Sequence, residues 1–168
     1  MTERPLAEPT ELSEGFWDAA RRHELVAQHC AQCGSYRHYP QLRCPRCLSD
    51  HWSWAALSGI GTIYSFTITH QAFHPAWEAS TPYAVITVEL AEGIRMVSDL
   101  PDGDLADVRI GAPVEVFFDD TTNTTLPRFR LAPSRAPHSQ QPASAAGPTE
   151  RDNGLDERLR ATDATKPD

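Results

Sequence analysis

Four cysteines, which are all that the chain contains, constrain its fold more than any other feature. They stand in the pattern C-x2-C-x10-C-x2-C, at Cys30, Cys33, Cys44 and Cys47. Each Cys-x-x-Cys turn aims two sulfurs at one point, and the ten residues between the turns can form a hairpin that brings both turns round one ion. The spacing predicts a structural zinc ion, because four thiolate ligands leave no open position for a catalytic water.

Two other uses of these cysteines match the sequence less well. A redox Cys-x-x-Cys pair belongs beside a strand–helix unit, and two copies joined by a short polar hairpin do not fit that setting. Disulfides require an oxidising compartment, whereas the chain starts without a basic segment followed by an apolar run, so we expect a cytoplasmic protein. His29 and His51 flank the cysteines and remain alternative ligands.

Length and charge limit the functional classes. A chain of 168 residues with 40% hydrophobic content can hold one or two small domains, and it contains no stretch of about 20 apolar residues that could span a membrane. The net charge of -8 is uneven, with +2 on residues 30–57 and -6 on residues 58–132. An acidic domain repels a phosphate backbone, so the charge argues against a nucleic-acid-binding module.

Composition divides the chain into four predicted parts. Residues 1–29 form an arm and a short helix that begins near Ser13, and residues 30–57 form the zinc ribbon. Residues 58–132 form a strand domain, while residues 133–168, rich in Pro, Ser, Ala and charged residues, form a disordered tail. Phe16 and Trp17 lie on the apolar side of the predicted helix, which docks either on a partner or within the same chain.

Short strands follow one another through residues 58–132. The segment IGTIYSFTITH at 60–70 predicts a strand with one face made of Ile63, Ser65, Thr67 and Thr69 and the other of Tyr64, Phe66 and Ile68. Further strands are predicted at 82–90, 94–100, 114–118 and 127–131. Five short strands favour a small Greek-key barrel of the oligonucleotide/oligosaccharide-binding (OB) type, and hence a mainly β protein.

Several of these segments together resemble the DUF35 family, which joins a rubredoxin-like zinc ribbon to an OB-fold. The resemblance covers roughly residues 13–132. It is carried by Phe16-Trp17, by CAQCG at 30–34 and CPRC at 44–47, by Trp54, and by LSGIGTIYSFT at 57–67, PYA at 82–84, VEL at 88–90 and IGAPVEV at 110–116. One departure from the family pattern is His38-Tyr39-Pro40, where many members have a proline-rich stretch.

The resemblance implies an accessory subunit rather than an independent enzyme. Family members associate with thiolase-superfamily proteins that act on acyl-CoA esters, including acyltransferases and the retro-aldolases that shorten steroid side chains, and some associate with MaoC-like enoyl-CoA hydratases. In such hetero-oligomers the partner supplies the catalytic residues. The sequence itself agrees, since no Ser-His-Asp order, phosphate-binding glycine loop or paired-carboxylate motif stands out. We interpret Asp119 and Asp120 as solvated turn residues.

Residues 70–81, HQAFHPAWEAST, form a connection longer than a hairpin needs. Exposed aromatic side chains are favoured as interface anchors, so Phe73, His74 and Trp77 are candidate contacts to the partner or to an acyl-CoA ester. Alternatively, Phe73 and Trp77 fold back and plug the barrel. On the ribbon, a set of basic side chains either pairs with CoA phosphates or offsets the negative charge of the thiolate-bound zinc. This set is Arg37, Arg43 and Arg46.

Overall fold

The computed structural model describes residues 5, 8–101, 105–120 and 124–133, so the predicted tail lies almost wholly outside the described residues. The described residues form one α-helix, eight strands and two short 3-10 helices. In chain order they are α1 (Glu14–Arg21), β1 (Val26–Cys30), β2 (Tyr36–Arg37), β3 (Trp52–Ala56), β4 (Ile60–Thr69), a 3-10 helix (Pro75–Ser80), β5 (Tyr83–Leu90), β6 (Arg95–Leu100), a 3-10 helix (Leu105–Asp107), β7 (Pro113–Asp119) and β8 (Leu126–Leu131). None of the described helices is long and apolar enough to cross a membrane.

Helix α1 forms where the sequence predicts it and packs on the ribbon. Glu14 in the first turn and Arg21 in the last complement the helix dipole. Ser13 precedes the helix, but its hydroxyl accepts a hydrogen bond from the Thr10 amide at 2.9 Å and caps no helical amide. A Cβ atom built on Gly15 would stand only 2.1 Å from the Trp54 indole nitrogen, so glycine lets α1 lie directly against Trp54.

The ribbon is a three-stranded antiparallel sheet in the order β2-β1-β3. Its central strand β1 is buried at four of five positions, because α1 covers the strand while β2 and β3 flank it. The connection to the next domain is held by one hydrogen bond on each side. On the ribbon side, the Leu57 amide donates to the Leu25 carbonyl at 2.8 Å. The Ser58 amide donates to the Glu92 carboxylate at 2.6 Å.

The second sheet has five antiparallel strands in the order β6-β5-β4-β7-β8, which matches the predicted OB-like barrel. One face of each strand supplies the core. The least exposed of these side chains are Ile63, Ala84, Ile86, Val88, Val114 and Phe129. Their alternation along each strand, apolar in and polar out, is the pattern that the sequence predicts.

The predicted alternation along β4 is wrong in one respect. A register shift between Ile63 and Ser65 inserts an extra residue into the strand. As a result Ile63, Phe66 and Ile68 lie opposite Val88, Ile86 and Ala84, which all face the core, and they share one side of the sheet. Tyr64 sits at the bulge instead, where the Arg95 guanidinium lies 3.3 Å from the centre of its ring. A bulge of this kind reverses strict alternation, and nothing in the strand's composition marks it.

Strands β6 and β8, at the two ends of this order, are joined by Arg128. Its guanidinium donates to both carboxylate oxygens of Asp99 on β6, at 2.8 Å and 2.5 Å, and to Asp119 on β7 at 2.5 Å. Burial lowers the pKa of Arg128, but the hydrogen bonds to Asp99 and Asp119 raise it further than burial lowers it. The barrel is therefore closed by a charged clasp on its outer face.

Candidate metal centre and partner-binding loop

The four cysteines converge on one point, as their spacing predicts. Their sulfur atoms all lie within 4.8 Å of one another, and the Cys30–Cys47 and Cys33–Cys44 pairs are each separated by 3.6 Å. These separations are far longer than the bond of about 2.05 Å in a disulfide. A tetrahedron with metal–sulfur bonds of about 2.3 Å has edges of about 3.8 Å, so the cluster fits a tetrahedral ion.

The two Cys-x-x-Cys turns have the same backbone design. In the first, the Gly34 amide donates to the Cys30 carbonyl at 2.9 Å, and in the second the Leu48 amide donates to the Cys44 carbonyl at 2.8 Å. Both residues at this position adopt positive φ, 69° for Gly34 and 63° for Leu48. Glycine reaches this conformation without strain, whereas leucine does not, so the turn itself imposes the conformation on Leu48.

The protonation of the sulfurs depends on a cation. A hydrogen bond from the Ser35 hydroxyl is the main reason that the pKa of Cys33 is lowered and that of Cys44 falls to about 5. For Cys47, the Ser49 amide lowers the pKa, but desolvation and the neighbouring sulfurs outweigh it and raise the pKa to about 12. Four thiolates therefore coexist only around a cation that offsets their repulsion, which is what a metal ion supplies.

Neither flanking histidine joins the cluster. Among the described residues, the group that could hold a metal ion consists of the four cysteines. The His29 ring packs against Tyr36 at 4.7 Å between centroids, and His51 is exposed beside Asp50 at 3.7 Å. The cysteine-only ligand set is thus the one that the geometry favours over the histidine alternatives.

The three basic residues of the ribbon differ in their surroundings. Arg37 is only 7% exposed, and its guanidinium donates to the Gln28 side-chain carbonyl at 2.6 Å and to the Gln41 backbone carbonyl at 3.3 Å. Arg43 and Arg46 are exposed. Contact with a partner or a CoA phosphate is therefore open to Arg43 and Arg46, while Arg37 is held inside the ribbon.

The two aromatic residues of α1, Phe16 and Trp17, also differ in burial. Phe16 is 8% exposed and belongs to the hydrophobic core, which supports packing within the chain rather than docking on a partner. Trp17 is half-buried at the edge of the same cluster and meets the Phe16 ring edge-on at 5.1 Å. Beside them, burial lowers the pKa of His38 to about 4, so this imidazole is neutral at pH 7.

The predicted contact loop is ordered by a 3-10 helix over Pro75–Ser80. The His74 ring caps this helix, since its Nδ1 accepts a hydrogen bond from the Ala76 amide at 3.2 Å. Phe73 is 83% exposed and does not plug the barrel. The Trp77 ring packs at 5.3 Å from that of Tyr83, a residue on the outward side of β5, so Trp77 lies against the outside of the barrel wall.

The sequence interpretation missed the charged clasp next to this loop. Asp119 is not a solvated turn residue, because it ends β7 and pairs with Arg128. Asp120 accepts one hydrogen bond from the Thr125 hydroxyl and lies 2.8 Å from His23. The alternation in LPRFRL does predict that Arg128 lies on the outer face of the strand, since its neighbour Phe129 faces inward. This was the only sign in the sequence of the position of Arg128. It could not show which carboxylates Arg128 would meet across the barrel.

Comparison with protein-family models identifies the ribbon and most of the strand domain. Residues 17–53 match the model described as "ChsH2, rubredoxin-like zinc ribbon domain". Residues 54–119 match "ChsH2, C-terminal OB-fold domain". The chain belongs to the DUF35 (ChsH2) family. This membership confirms the resemblance that the sequence carries.

A solved structure described as "Ltp2-ChsH2(DUF35) aldolase" matches this chain with a TM-score of 0.68 and 36% identity, covering 76% of this chain and 98% of that one. Two curated relatives are longer. The "Probable enoyl-CoA hydratase alpha subunit" of Thermomonospora curvata is 40% identical over 119 residues, which are 70% of this chain and 37% of that protein. The "3-oxo-4,17-pregnadiene-20-carboxyl-CoA hydratase alpha subunit" of Mycobacterium tuberculosis is 36% identical over 111 residues, 66% of this chain and 35% of that protein. This chain therefore spans just over a third of the length of each relative.

Proposed function

We propose that this chain is a non-catalytic accessory subunit in acyl-CoA metabolism, and that it binds and stabilises a thiolase-superfamily enzyme of the lipid-transfer-protein type. The partner is an acyltransferase or a retro-aldolase, such as those that act in steroid side-chain degradation. The observation that carries this proposal is the match over 98% of the DUF35 chain in an Ltp2-ChsH2 aldolase, at 36% identity.

The metal centre fits a supporting role. We propose zinc as the ion, held by Cys30, Cys33, Cys44 and Cys47. The matching family model is that of a zinc ribbon, and the distances between the sulfur atoms fit tetrahedral coordination of zinc. Four thiolate ligands leave no coordination position for a substrate, so zinc stabilises the ribbon and does not polarise a substrate. In the proposed complex, the chain then contributes a binding surface and no catalytic group.

The loop 70–81 is the surface that we assign to the partner and to its CoA-ester channel. Phe73 stands out with 83% of its surface exposed, on a segment fixed by the 3-10 helix and the His74 cap. A large apolar side chain that is exposed on a loop gains much apolar burial on binding, which is typical of interface anchors. Trp77, four residues further along the loop, is partly buried and packs against Tyr83.

The names of two relatives favour a second candidate function. Both curated relatives are hydratase alpha subunits, each containing additional chain beyond the region matched here. In this alternative the chain bridges a MaoC-like enoyl-CoA hydratase, alone or together with the thiolase-type protein. A nucleic-acid-binding role has less support, because the strand domain carries a charge of -6.

The test is co-expression of the chain with candidate thiolase-like and hydratase-like proteins from the same organism, followed by affinity measurement with two variants. Phe73→Ala removes the exposed anchor, so we expect partner binding to weaken by about 2 kcal/mol, roughly 30-fold, without a change in melting temperature. Leu42→Ala is the matched control, since Leu42 is 74% exposed but lies on the ribbon, and it should bind normally. Equal affinity of both variants for the partner would remove loop 70–81 from the interface.

A further inference from the structure

Strand β4 has a free edge over its second half. On one side β5 pairs with residues 61–69 of this strand, but on the other side β7 pairs only with residues 60–62. The last backbone hydrogen bonds on that second side are those of Ile63. Alternate residues of a strand direct their amides and carbonyls to opposite sides. In the part of the chain that the structure describes, residues 65–69 therefore have backbone groups that point away from β5 and meet no other strand.

The same segment is exposed on both faces of the sheet. Ser65 and Thr67, which lie on the outer face, are exposed. Phe66 lies on the core side, opposite the buried Ile86, and is nevertheless 39% exposed. The barrel wall thus fails to cover the Phe66 ring where the edge of β4 is free. An added strand at this edge would pair with the backbone and cover the ring at the same time.

The composition of β4 is unusual for a free edge. Its ten residues, IGTIYSFTIT, include no charged residue and no proline, and most of them are β-branched or aromatic. Charged side chains, prolines and bulges are the usual means by which proteins prevent other strands from pairing with an edge. The bulge of β4 lies between Ile63 and Ser65, where the free segment begins, and leaves residues 66–69 regular. This edge is therefore suited to pairing with another strand.

The strand that fits this edge is the same strand of a second copy. If two copies of β4 pair antiparallel about a two-fold axis at Thr67, then Ser65 lies opposite Thr69, and Phe66 lies opposite Ile68. Residues that pair in this way share one side of the sheet, so hydroxyl side chains meet hydroxyl side chains and apolar side chains meet apolar ones. A shift of one residue would place Phe66 opposite Thr67 and remove this match.

Charge favours this contact over other contacts between two copies. The chain carries a net charge of -8, with -6 on residues 58–132, so two copies repel each other over most of their surfaces. The free segment of β4 has no charge, and pairing it with its equivalent opposes no like charges. Added salt should therefore strengthen the association by screening the general repulsion. Salt would instead weaken an ionic contact between the positive ribbon of one copy and the acidic barrel of another.

We propose that residues 65–69 are a self-association surface, through which two copies of this chain pair antiparallel about Thr67. The two five-stranded sheets become one continuous sheet across the two-fold axis. Each Phe66 ring is then covered by Ile68 of the second copy. This inference does not rest on the proposed function, because both strands belong to the same kind of chain.

The test is a charge exchange at the two-fold axis, measured on the full-length protein by analytical ultracentrifugation. Wild type should form a dimer of twice the chain mass of 18.6 kDa. Thr67→Lys and Thr67→Glu each bring two like charges together, so each should raise the dimer dissociation constant at least about tenfold. An equimolar mixture of the two variants places lysine opposite glutamate and should restore the dimer, which also shows that both variants are folded.

Thr62→Lys is the matched control. Thr62 is an exposed threonine of the same strand, but β5 and β7 flank it on both sides, so this variant should dimerise like wild type. Amide hydrogen exchange supplies a second measurement. Residues 65–69 should be protected in the wild-type dimer and should lose that protection in Thr67→Lys.

Several results would overturn the proposal. Wild type that remains a monomer across the micromolar range would do so, as would a dimer that Thr67→Lys leaves intact. A mixture of Thr67→Lys and Thr67→Glu that fails to dimerise would show that the axis does not pass through Thr67. If residues 65–69 gain protection only when a candidate thiolase-like protein from the same organism is added to a monomeric chain, the edge pairs with that protein and not with a second copy.

Discussion

The ribbon and the barrel are held together by different means. In the barrel, side chains such as Phe129, Ile63 and Val114 are at most 1% exposed, and all five strands contribute buried apolar side chains, so apolar burial alone can stabilise it. In the ribbon, Cys30 and Cys44 occupy the buried centre, and β2 is only two residues long. From this comparison we expect the fold of the ribbon to depend on a bound ion, whereas the fold of the barrel should not.

The largest effect should follow from removing one metal ligand. Cys44→Ser leaves three thiolates, and apparent binding energies for structural zinc sites are about 10–16 kcal/mol, so the ribbon should lose its metal and its fold. We expect far less than one zinc per chain by elemental analysis, and loss of amide protection in β1, β2 and β3 only. A variant that retains one tightly bound zinc and a protected ribbon would show that the ribbon does not depend on the cluster.

The corresponding substitution in the barrel removes a core side chain instead of a metal ligand. Phe129→Ala removes a fully buried ring and should lower the free energy of unfolding by about 3–5 kcal/mol, measured by chemical denaturation. Phe117→Ala, on the outward side of the adjacent β7, is the matched control and should cost about 1 kcal/mol or less. The zinc content of the folded protein should be the same in both variants. Loss of zinc in Phe129→Ala would mean that the two halves unfold as one unit.

The charged clasp gives a smaller effect in the same domain. Arg128→Met leaves Asp99 and Asp119 without their shared cation, so we expect a loss of about 3 kcal/mol in stability. Arg130→Met is the control, because Arg130 is 56% exposed beside Glu115 and its loss should cost about 1 kcal/mol or less. Similar melting temperatures for the two variants would indicate that the clasp contributes little to closing the barrel.

The smallest effect is a pH dependence in the ribbon. Burial depresses the pKa of His38 to about 4, so protonation favours the unfolded chain, and the contribution of His38 is lost as the pH falls below its unfolded value of about 6.5. Between pH 6.5 and 5.5 this amounts to about 1 kcal/mol. Stability measured at both pH values should fall less in His38→Phe than in wild type. An identical fall in the two proteins would assign it to the thiolates or other groups.

The sequence predicted features that short-range spacing controls. Two Cys-x-x-Cys turns fix the metal cluster, and the alternating segments fix the five barrel strands. Features that depend on contacts between distant segments were not predictable. The bulge at Ile63/Ser65 depends on pairing with β5, and Asp119 meets Arg128 only because β7 and β8 pair. Likewise, the amphipathic helix could not reveal whether Phe16 packs on a partner or inside its own chain.

The most direct test of the central claim is reconstitution of the acyl-CoA enzyme. A candidate thiolase-like protein from the same organism is purified alone and with the chain, and its acyl-CoA turnover and the mass of the complex are measured together. We predict a defined hetero-oligomer whose activity or solubility requires the chain, while the purified chain alone has no turnover. A partner that is fully soluble and active alone and forms no complex, or turnover by this chain alone, would contradict the account.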